Sequence, residues 1–456
     1  MREEIESRPS ACLIIGLILG LITFNYPLAC IGLVGFLAWL MPARCKALIS
    51  GAFVVGLALS PMPPAMQLVA APLHGVAEVT SVPLLYPDAQ VCEVLMSDRT
   101  LQLTLPKEPA VMLGDLVRVA GIAKPLQASP RTHRFDQVQA RIEMGRVEVI
   151  RQGPWVAHLA DSWRRSFRAF LETNLSPKNA ALVDAVCFNA RTMLDSQTKE
   201  EMARSGSVHI VSASGLQVFV FGALITLALR FFPMPRSLQI LILAGVLAVY
   251  ALASGLQPQI VRAVAMTLLG LTAYLVKRDP DALSALAVSG IVYLLWRPEA
   301  VYGMSFQLSF VTIACIALFF QRTPDVASGW KRAFIRRAND FLKLSGIVVL
   351  ATAPLVAYYL GVISMVSVFS NLILCWSLPL MVGAAFFAHA VSFVLPAVGD
   401  GIAVSCLSPL CHWIYGSLDW VGGESSSLQV PNFSFLWLLA FYGAWAMTYR
   451  RRVVQP

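Results

Sequence analysis

The sequence predicts a polytopic α-helical membrane protein of about 11–12 spans, with a small extracytoplasmic β-barrel inserted between the third and fourth spans. Of the 456 residues, 57% are hydrophobic and only 13% are charged, whereas an ordinary soluble domain is about 25% charged. Several apolar runs approach the roughly 20 residues that a helix needs to cross a bilayer. One polar segment, residues 72–152, instead alternates at period two, which is typical of half-buried strands.

The chain divides into four predicted segments. Residues 1–65 carry three apolar runs, interpreted as N-terminal transmembrane helices. Residues 72–152 contain the alternating stretches "AQVCEVLM", "RTLQLTL" and "GRVEVI", and "GDLVRVAGIAKP" has the turn–strand–glycine pattern common in OB-type barrels. Residues 153–206 are interpreted as amphipathic helices outside the bilayer. Residues 207–450 are interpreted as the main transmembrane domain.

The first helix of residues 153–206 has two contrasting faces. In "WVAHLADSWRRSFRAFL", apolar residues between Trp155 and Phe170 share one helical face, and Arg164, Arg165 and Arg168 fall opposite. This pattern is typical of a helix lying in the membrane interface. Packing of the apolar face against the small barrel is the alternative.

The later spans are predicted from the remaining apolar runs, and the orientation from the Lys/Arg bias of the loops. The runs are about 210–231, 238–254, 258–276, 282–296, 301–320, 344–361, 366–389, 392–410 and 433–448. The run 392–410 is weak, because proline, glycine and aspartate interrupt it. Basic loops lie preferentially in the cytoplasm. Both termini are therefore predicted to be cytoplasmic and residues 72–205 extracytoplasmic, provided that 392–410 crosses.

The motifs that would signal an enzyme or a metal site are missing from the sequence. It contains no P-loop, no H-E-x-x-H, no H-x-H-x-D-H and no CxxC. We therefore expect no catalytic residues, no metal and no cofactor. Carboxylates are scarce inside the predicted spans, which disfavours a proton- or sodium-coupled transporter.

The segment "SGSVHIVSASGLQV" places polar side chains at the outer end of the fourth predicted span. They belong to His209, Ser212, Ser214 and Gln217, with Gly215 among them. No acid lies nearby to orient the histidine, and "SASG" is not a nucleophile elbow, so a hydrolase is disfavoured. Lining a polar cavity and plain helix packing both remain open.

Further polar residues lie within later spans. Arg262 follows Pro258 by four residues, so it can reach the outer interface along its stem or face a polar lumen. Gln307 and Ser309 in "SFQLSF", and Asn371 in "SVFSNLILCWSLPL", can bind neighbouring helices or line a pore.

These motifs together resemble those of the ComEC-type competence proteins. "GSVHIVSASGLQV" resembles the family's H-L-L-A-I-S-G-L-H-V signature, "NARTML" its G-D-R-S-x-L segment, and "FQLSF" matches a family motif. The matches keep the family's order and extend to the β domain. Gln217 stands where the family usually has a second histidine, and Asn189 and Ala190 replace its Gly-Asp while Arg191 is kept.

The resemblance implies an inner-membrane channel that translocates single-stranded DNA in natural transformation. It implies a path through the motif positions, with DNA guided by Arg164, Arg165, Arg168 and Arg191. The expected partners are single-stranded DNA, the lipid bilayer, a separate DNA receptor, a cytoplasmic ATP-dependent translocase and a nuclease. The nuclease is expected because many members continue into a metallo-β-lactamase-like domain, whereas this sequence is expected to be a short form. A transporter or flippase for another polymer or lipid, and a noncatalytic envelope assembly platform, are the alternatives.

Overall fold

A computed structural model describes a large part of the chain. It describes residues 9–23, 43–58, 71–85, 89–96, 99–106, 109–125, 138–143, 146–190, 193–208, 215–277, 281–319, 330–423, 426–430, 437 and 441–442. The chain forms two compact units, each assembled from segments distant in sequence. The first comprises residues 1–63, 272–372 and 425–456, and the second comprises residues 64–271 and 373–424.

Helices make up most of the described residues. In chain order they are α1 Pro9–Thr23, α2 Ala43–Ala58, α3 Trp155–Asn174, α4 Pro177–Phe188, α5 Ser196–Arg204, α6 Gly215–Leu229, α7 Arg236–Ala253, α8 Pro258–Leu275, α9 Ala282–Trp296, α10 Met304–Phe319, α11 Trp330–Leu360, α12 Ser367–Leu374, α13 Ser377–Ser392, α14 Pro396–Ile402 and α15 Ser408–Val421. A 3₁₀ turn, Pro298–Tyr302, precedes α10, and a π-helical turn, Ala403–Leu407, joins α14 to α15.

Five helical segments among the described residues are long and apolar enough to cross a membrane. They are Arg236–Ala253, Pro258–Leu275, Ile335–Leu360, Ser367–Ser392 and Pro396–Val421. Shorter apolar helices occur at Leu48–Ala58, Gly215–Leu229, Ala282–Trp296 and Met304–Ala317. Most of the predicted run 433–448, and the middle of the three predicted N-terminal runs, lie outside the described residues.

The weak run predicted at 392–410 has the wrong bounds. Helix α13 ends at Ser392, and the helical backbone resumes at Pro396. Leu395 is not helical (φ −132°, ψ 80°), as expected because a proline ring disfavours the helical conformation of the residue before it. The candidate crossing segment is therefore Pro396–Val421.

The described part of the polar segment after residue 70 forms β-strands, as predicted. They are β1 Ala71–Val79, β2 Leu84–Leu85, β3 Ala89–Met96, β4 Arg99–Pro106, β5 Leu116–Pro125, β6 Val138–Glu143 and β7 Arg146–Arg151. Pairing is antiparallel except between β4 and β6, which run parallel. Leu101, Leu103 and Leu105 of β4 are buried at every second position, as the alternation predicts. Strands β2 and β6 were not predicted individually. In the first unit, Val362–Ser364 (β8) pairs with Ser427–Gln429 (β9).

A buried aspartate connects the sheet to the helices of the second unit. Gly114 has φ +84°, which favours glycine, and turns the chain into β5. Asp115 is 1% exposed and accepts hydrogen bonds from the backbone N–H groups of Met112 (2.8 Å) and Gly153 (2.7 Å). Its Oδ1 also lies 3.3 Å from His158 Nε2 on α3. The start of α3 is thereby held against the start of β5.

Helix α3 buries a different face from the predicted one. It packs against α4 and α7, not with its apolar face against the sheet. Its buried residues include Arg164 and Phe167, whereas Trp155 and Leu159 are exposed. At 3.6 residues per turn, the buried face is rotated by roughly 100° from the predicted face. The expectation that Arg164 guides DNA is therefore wrong, because its guanidinium is buried and has a partner inside the helical core.

Candidate functional site

The motif "GLQV" begins α6 and reaches the C-terminal end of α4 in the second unit. Helix α4 ends at Phe188, and Asn189 follows with φ +60°, a left-handed conformation that ends helices. The last four carbonyl groups of a helix have no partner within it. Gln217 Nε2 donates to the carbonyl of Val186. Tyr250 Oη on α7 donates to the carbonyl of Cys187 at 2.6 Å.

Both hydrogen bonds lie in a fully enclosed place. Val186, Cys187 and Tyr250 are 0% exposed, and Gln217 is 2% exposed. Buried polar groups need partners, so Gln217 and Tyr250 satisfy carbonyl groups that water cannot reach. Gln217 Oε1 has no hydrogen-bond partner among the described residues.

An aromatic cluster surrounds this helix end. Trp163, Phe188, Phe221, Tyr250 and Phe386 come from five different helices. Ring centroids lie 4.6 Å apart for Phe221 and Phe386, and 5.0 Å apart for Phe221 and Tyr250. Such contacts favour one fixed arrangement of the helices. Sequence reasoning missed Tyr250, because an aromatic residue in an apolar run carries no local signal of its partner.

Arg164 is buried in the helical core, at 3% exposure. Its Nη1 donates to the carbonyl of Ala253, the last residue of α7, at 3.2 Å. Asp161 and Asp184 are also buried, at 4% and 3% exposure. Burial raises the pKa of Asp184, and the charges of Arg164 and Arg168 act in the opposite direction. Burial likewise lowers the pKa of Arg164, with Asp184 opposing that shift.

The other two arginines of α3 are partly exposed and carry ion pairs. Arg165 Nε lies 2.5 Å from Asp161 Oδ2. Arg168 Nε lies 2.8 Å from Glu172 Oε1, and the Arg168 side chain is 15% exposed. These two can contact a ligand from solvent, whereas the burial of Arg164 assigns it to the core. Arg191, His209, Ser212 and Ser214 lie outside the described residues.

Gly215 and Arg262 lie where α6 approaches α8. A Cβ atom on Gly215 would lie 3.5 Å from Ala263 Cβ, an ordinary contact, so the approach does not itself require glycine. Arg262 is 6% exposed, and its Nη1 lies 3.8 Å from Met266 Sδ. Its Nε has no hydrogen-bond partner among the described residues. A buried guanidinium that lacks such a partner is a candidate for contact with an anion.

Gln307, Ser309 and Asn371 belong to the first unit. Gln307 Nε2 donates to the carbonyl of Val301 in the preceding 3₁₀ turn, at 2.9 Å. Asn371 Nδ2 donates to Ser345 Oγ at 3.0 Å and thereby joins α12 to α11. Ser309 is 9% exposed, and its Oγ has no partner within the described part of the chain. The contacts of Gln307 and Asn371 are those of residues that hold local elements together.

Within the described residues, no group of three or more His, Cys, Asp or Glu side chains could hold a metal ion.

The model of the family described as "Competence protein" matches residues 186–453, more than half of the chain. The chain belongs to the competence protein family. Gln217, Arg262, Gln307 and Asn371 all lie inside the matched region. With its apolar helices, this competence protein is a membrane protein.

One curated relative supports the same assignment. This competence protein is 25% identical over 213 residues to ComE operon protein 3 of Bacillus subtilis (strain 168). The alignment covers 47% of this chain and 26% of that relative. No solved structure matches the chain. The resemblance seen in the sequence motifs is thus confirmed at the level of the family.

Proposed function

We propose that this competence protein is an inner-membrane channel that moves single-stranded DNA into the cytoplasm during natural transformation. The family match over residues 186–453 carries the proposal. The segments long and apolar enough to cross a membrane provide the helices that such a channel needs. The loop charges support cytoplasmic termini and an extracytoplasmic position for residues 72–205.

The sheet is proposed to be an OB-like barrel in the extracytoplasmic part. The pairing of β1 with both β3 and β5 supports this, as does the parallel pairing of β4 with β6 between antiparallel neighbours. Residues 72–152 carry equal numbers of basic and acidic side chains. We therefore do not assign strong DNA binding to the sheet alone, because affinity for nucleic acids comes mainly from phosphate neutralisation.

The motif positions are proposed to divide between the DNA path and its supporting scaffold. Gln217 is a positioning residue, because its amide holds the end of α4. Arg262, whose Nε has no partner in the described part of the chain, is the proposed anion contact. His209, Ser212, Ser214 and Gly215, with Gln307, Ser309 and Asn371 of the first unit, complete the proposed set. Arg165, Arg168 and Arg191 are proposed to guide DNA from outside.

The partners follow from what the translocation of a polyanion requires. The sequence has no nucleotide-binding P-loop, so an ATP-dependent translocase in the cytoplasm is proposed to supply the driving force. A separate DNA receptor and a nuclease acting on the other strand complete the proposed assembly. The four-segment division, with residues 207–450 as the channel domain, belongs to the same proposal.

DNA uptake in a deletion strain tests the function. The strain is complemented with the wild-type gene, His209→Ala, Arg262→Ala or Gln307→Ala, and uptake of labelled DNA is measured at equal protein levels. Arg230→Ala and Gln429→Ala are matched controls, because both side chains are exposed. We expect the three site variants to lose at least about tenfold in uptake, since about 1.4 kcal/mol of lost interaction is tenfold.

Two results would contradict the proposal at different levels. If all three site variants take up DNA as wild type does, the assignment of these residues to the DNA path is wrong. Normal uptake by the deletion strain removes the function itself. Transport of a lipid or of another polymer by the purified chain, with no DNA uptake, would select the transporter or flippase alternative.

A further inference from the structure

Two adjoining cavities lie on the surface of the second unit, and Met193 and Leu194 of the "NARTML" segment line the first of them. The first has a volume of about 500 Å³ and lies between α3, α4 and α15. The second has a volume of about 480 Å³ and extends along the start of α4 towards the π-helical turn and α15. Lys178 and Tyr415 line both cavities. Each volume is within the range of roughly 300–1,000 Å³ that small-molecule pockets occupy.

The side chains shared by the two cavities form a fixed pair. Lys178 Nζ lies 4.5 Å from the centre of the Tyr415 ring, in a cation–π arrangement. Tyr415 Oη donates to the backbone carbonyl of Lys178 at 2.9 Å. The ammonium group of Lys178 also lies 3.7 Å from Asp195 Oδ2. One positive charge is therefore held at the boundary between two cavities of similar size.

The first cavity contains a buried carboxylate oxygen that accepts no hydrogen bond from the described residues. Asp184 lines the cavity and is 3% exposed, and its Oδ1 has no hydrogen-bond partner among the described residues. The two other carboxylates of this cavity, Glu172 and Asp195, already face Arg168 and Lys178. A buried polar group without a partner is costly, so Asp184 points to a ligand that carries hydrogen-bond donors.

The charges around Asp184 limit the class of that ligand. A simple cation would meet Asp184, but Arg168 and Lys178 also line the cavity, and Glu172 and Asp195 offset their positive charges only in part because both ion pairs are partly exposed to solvent. A ligand that combines an anionic group with an amino-bearing apolar body matches both features. Leu171, Ala180 and Leu194 supply the apolar wall for that body.

The second cavity continues the binding surface of the first cavity in one direction. Its lining includes Asn174, Asn179, Ser408 and His412, neutral or weakly basic polar groups that suit a sugar and a further base. Two cavities of similar size with one positive charge between them fit a linear ligand with repeating units joined by an anionic link. Single-stranded nucleic acid has this form, and proteins bind it with cationic and aromatic side chains together.

We propose that these two cavities, the Lys178 groove, bind two successive nucleotides of single-stranded DNA. Lys178 contacts the phosphodiester between the two nucleotides. Asp184 accepts a hydrogen bond from the exocyclic amino group of the base in the first cavity. The groove thus disfavours thymine, which has no exocyclic amino group. This inference rests on the proposed function, since it takes DNA as the polymer that the chain meets.

Binding of short labelled oligonucleotides to the purified full chain in detergent micelles tests the groove. We measure the affinities for (dC)₆ and (dT)₆ by fluorescence anisotropy over a series of salt concentrations. We expect wild-type protein to prefer (dC)₆ by about tenfold, because one good contact with a base edge discriminates by about 1–3 kcal/mol. We expect Asp184→Asn to reduce this preference to within about twofold, since an amide can turn to serve either pyrimidine.

The charge of Lys178 is tested independently of the base. Lys178→Met keeps the aliphatic stem and removes the charge. We expect weaker binding of both oligonucleotides and a slope of log affinity against log salt that is smaller by about 0.7, the value for one phosphate of a single strand. Lys199→Met and Asp419→Asn, at exposed positions outside the groove, are matched controls and leave both quantities unchanged.

Several outcomes would overturn the proposal that the Lys178 groove binds single-stranded DNA. They are an unchanged salt slope in Lys178→Met, an unchanged base preference in Asp184→Asn, and binding of spermidine or a free amino acid in place of the oligonucleotides. If both variants bind DNA as wild type does and their strains take up DNA normally, the groove is wrong and the proposed function stands. If the strain lacking the gene takes up DNA normally, the proposed function itself fails.

Discussion

The hydrogen bond from Tyr250 to the end of α4 predicts a measurable loss of stability when the hydroxyl is removed. Tyr250→Phe keeps the ring among its aromatic neighbours and deletes the 2.6 Å bond to the carbonyl of Cys187. That carbonyl belongs to a residue that is 0% exposed, so water cannot replace the hydroxyl. A buried acceptor left unsatisfied costs about 1–3 kcal/mol.

The position of this hydrogen bond narrows the loss of stability that we expect. Hydrogen bonds between membrane-spanning helices average about 0.6 kcal/mol and reach about 1.7 kcal/mol. Helix α4 is not among the candidate membrane-spanning segments, so its carbonyl groups should behave more like those of a soluble core. Because no cavity forms, we expect a loss of about 1–2 kcal/mol, roughly a five- to thirtyfold shift in the folding equilibrium.

Reversible unfolding in mixed micelles measures this loss. Tyr274→Phe is the matched control, because Tyr274 is 61% exposed, and we expect it to change the free energy of unfolding by less than about 0.5 kcal/mol. Gln217→Leu removes the neighbouring bond to Val186, so the double variant should lose less than the sum of the two single losses. Equal stability of Tyr250→Phe and the control would refute the reasoning.

Three further predictions concern charge, topology and the backbone. Burial raises the pKa of Asp184 above its ordinary value of 3.8, so the folded state binds the proton more tightly than the unfolded state. The contribution of Asp184 to stability should therefore fall as pH rises from 3.8 through the raised pKa, so the free energy of unfolding of wild type minus that of Asp184→Asn should decrease over this range; a difference that does not change with pH contradicts the assignment. In a background without reactive cysteines, a membrane-impermeant maleimide added to intact cells should label Lys199→Cys and spare Ser237→Cys, and the reverse pattern would invert the proposed topology. Gly114→Ala should destabilise the fold by about 1–3 kcal/mol, because residue 114 has a positive φ and a Cβ atom would overlap a proline ring; Gly270→Ala, with open space around it, is the control in the same unfolding measurement.

The elements with a strong period could be predicted from the sequence. The run predicted at 282–296 has the bounds of Ala282–Trp296, and the run predicted at 258–276 ends one residue later than Pro258–Leu275. Most of the strands also follow from alternation. Helices and strands can both be recognised from neighbouring residues of the chain, because burial repeats every 3.6 positions in a helix and every 2 positions in a strand.

The details that decide the candidate site depend on distant partners. Arg164 is buried because its guanidinium meets a carbonyl 89 residues later, and no local pattern on α3 reveals that acceptor. Gln217 was recognised as an unusual amide, but its partner on α4 lies 31 residues earlier in the chain. Asp184 lies in an apolar stretch of α4, and nothing in that stretch indicates that its Oδ1 lines a cavity and has no hydrogen-bond partner among the described residues. Amphipathic patterns show which residue types prefer burial, and a charged residue with a specific partner violates that preference.

The orientation of α4 has an electrostatic consequence for the Lys178 groove. A helix carries about half a negative charge at its C-terminal end and about half a positive charge at its N-terminal end. At the C-terminal end, the donors of Gln217 and Tyr250 neutralise the negative pole inside the core. At the other end, Ser176 and Lys178 border the groove. The positive pole of the helix therefore adds its field to the lysine charge, and α4 itself favours an anion in the groove.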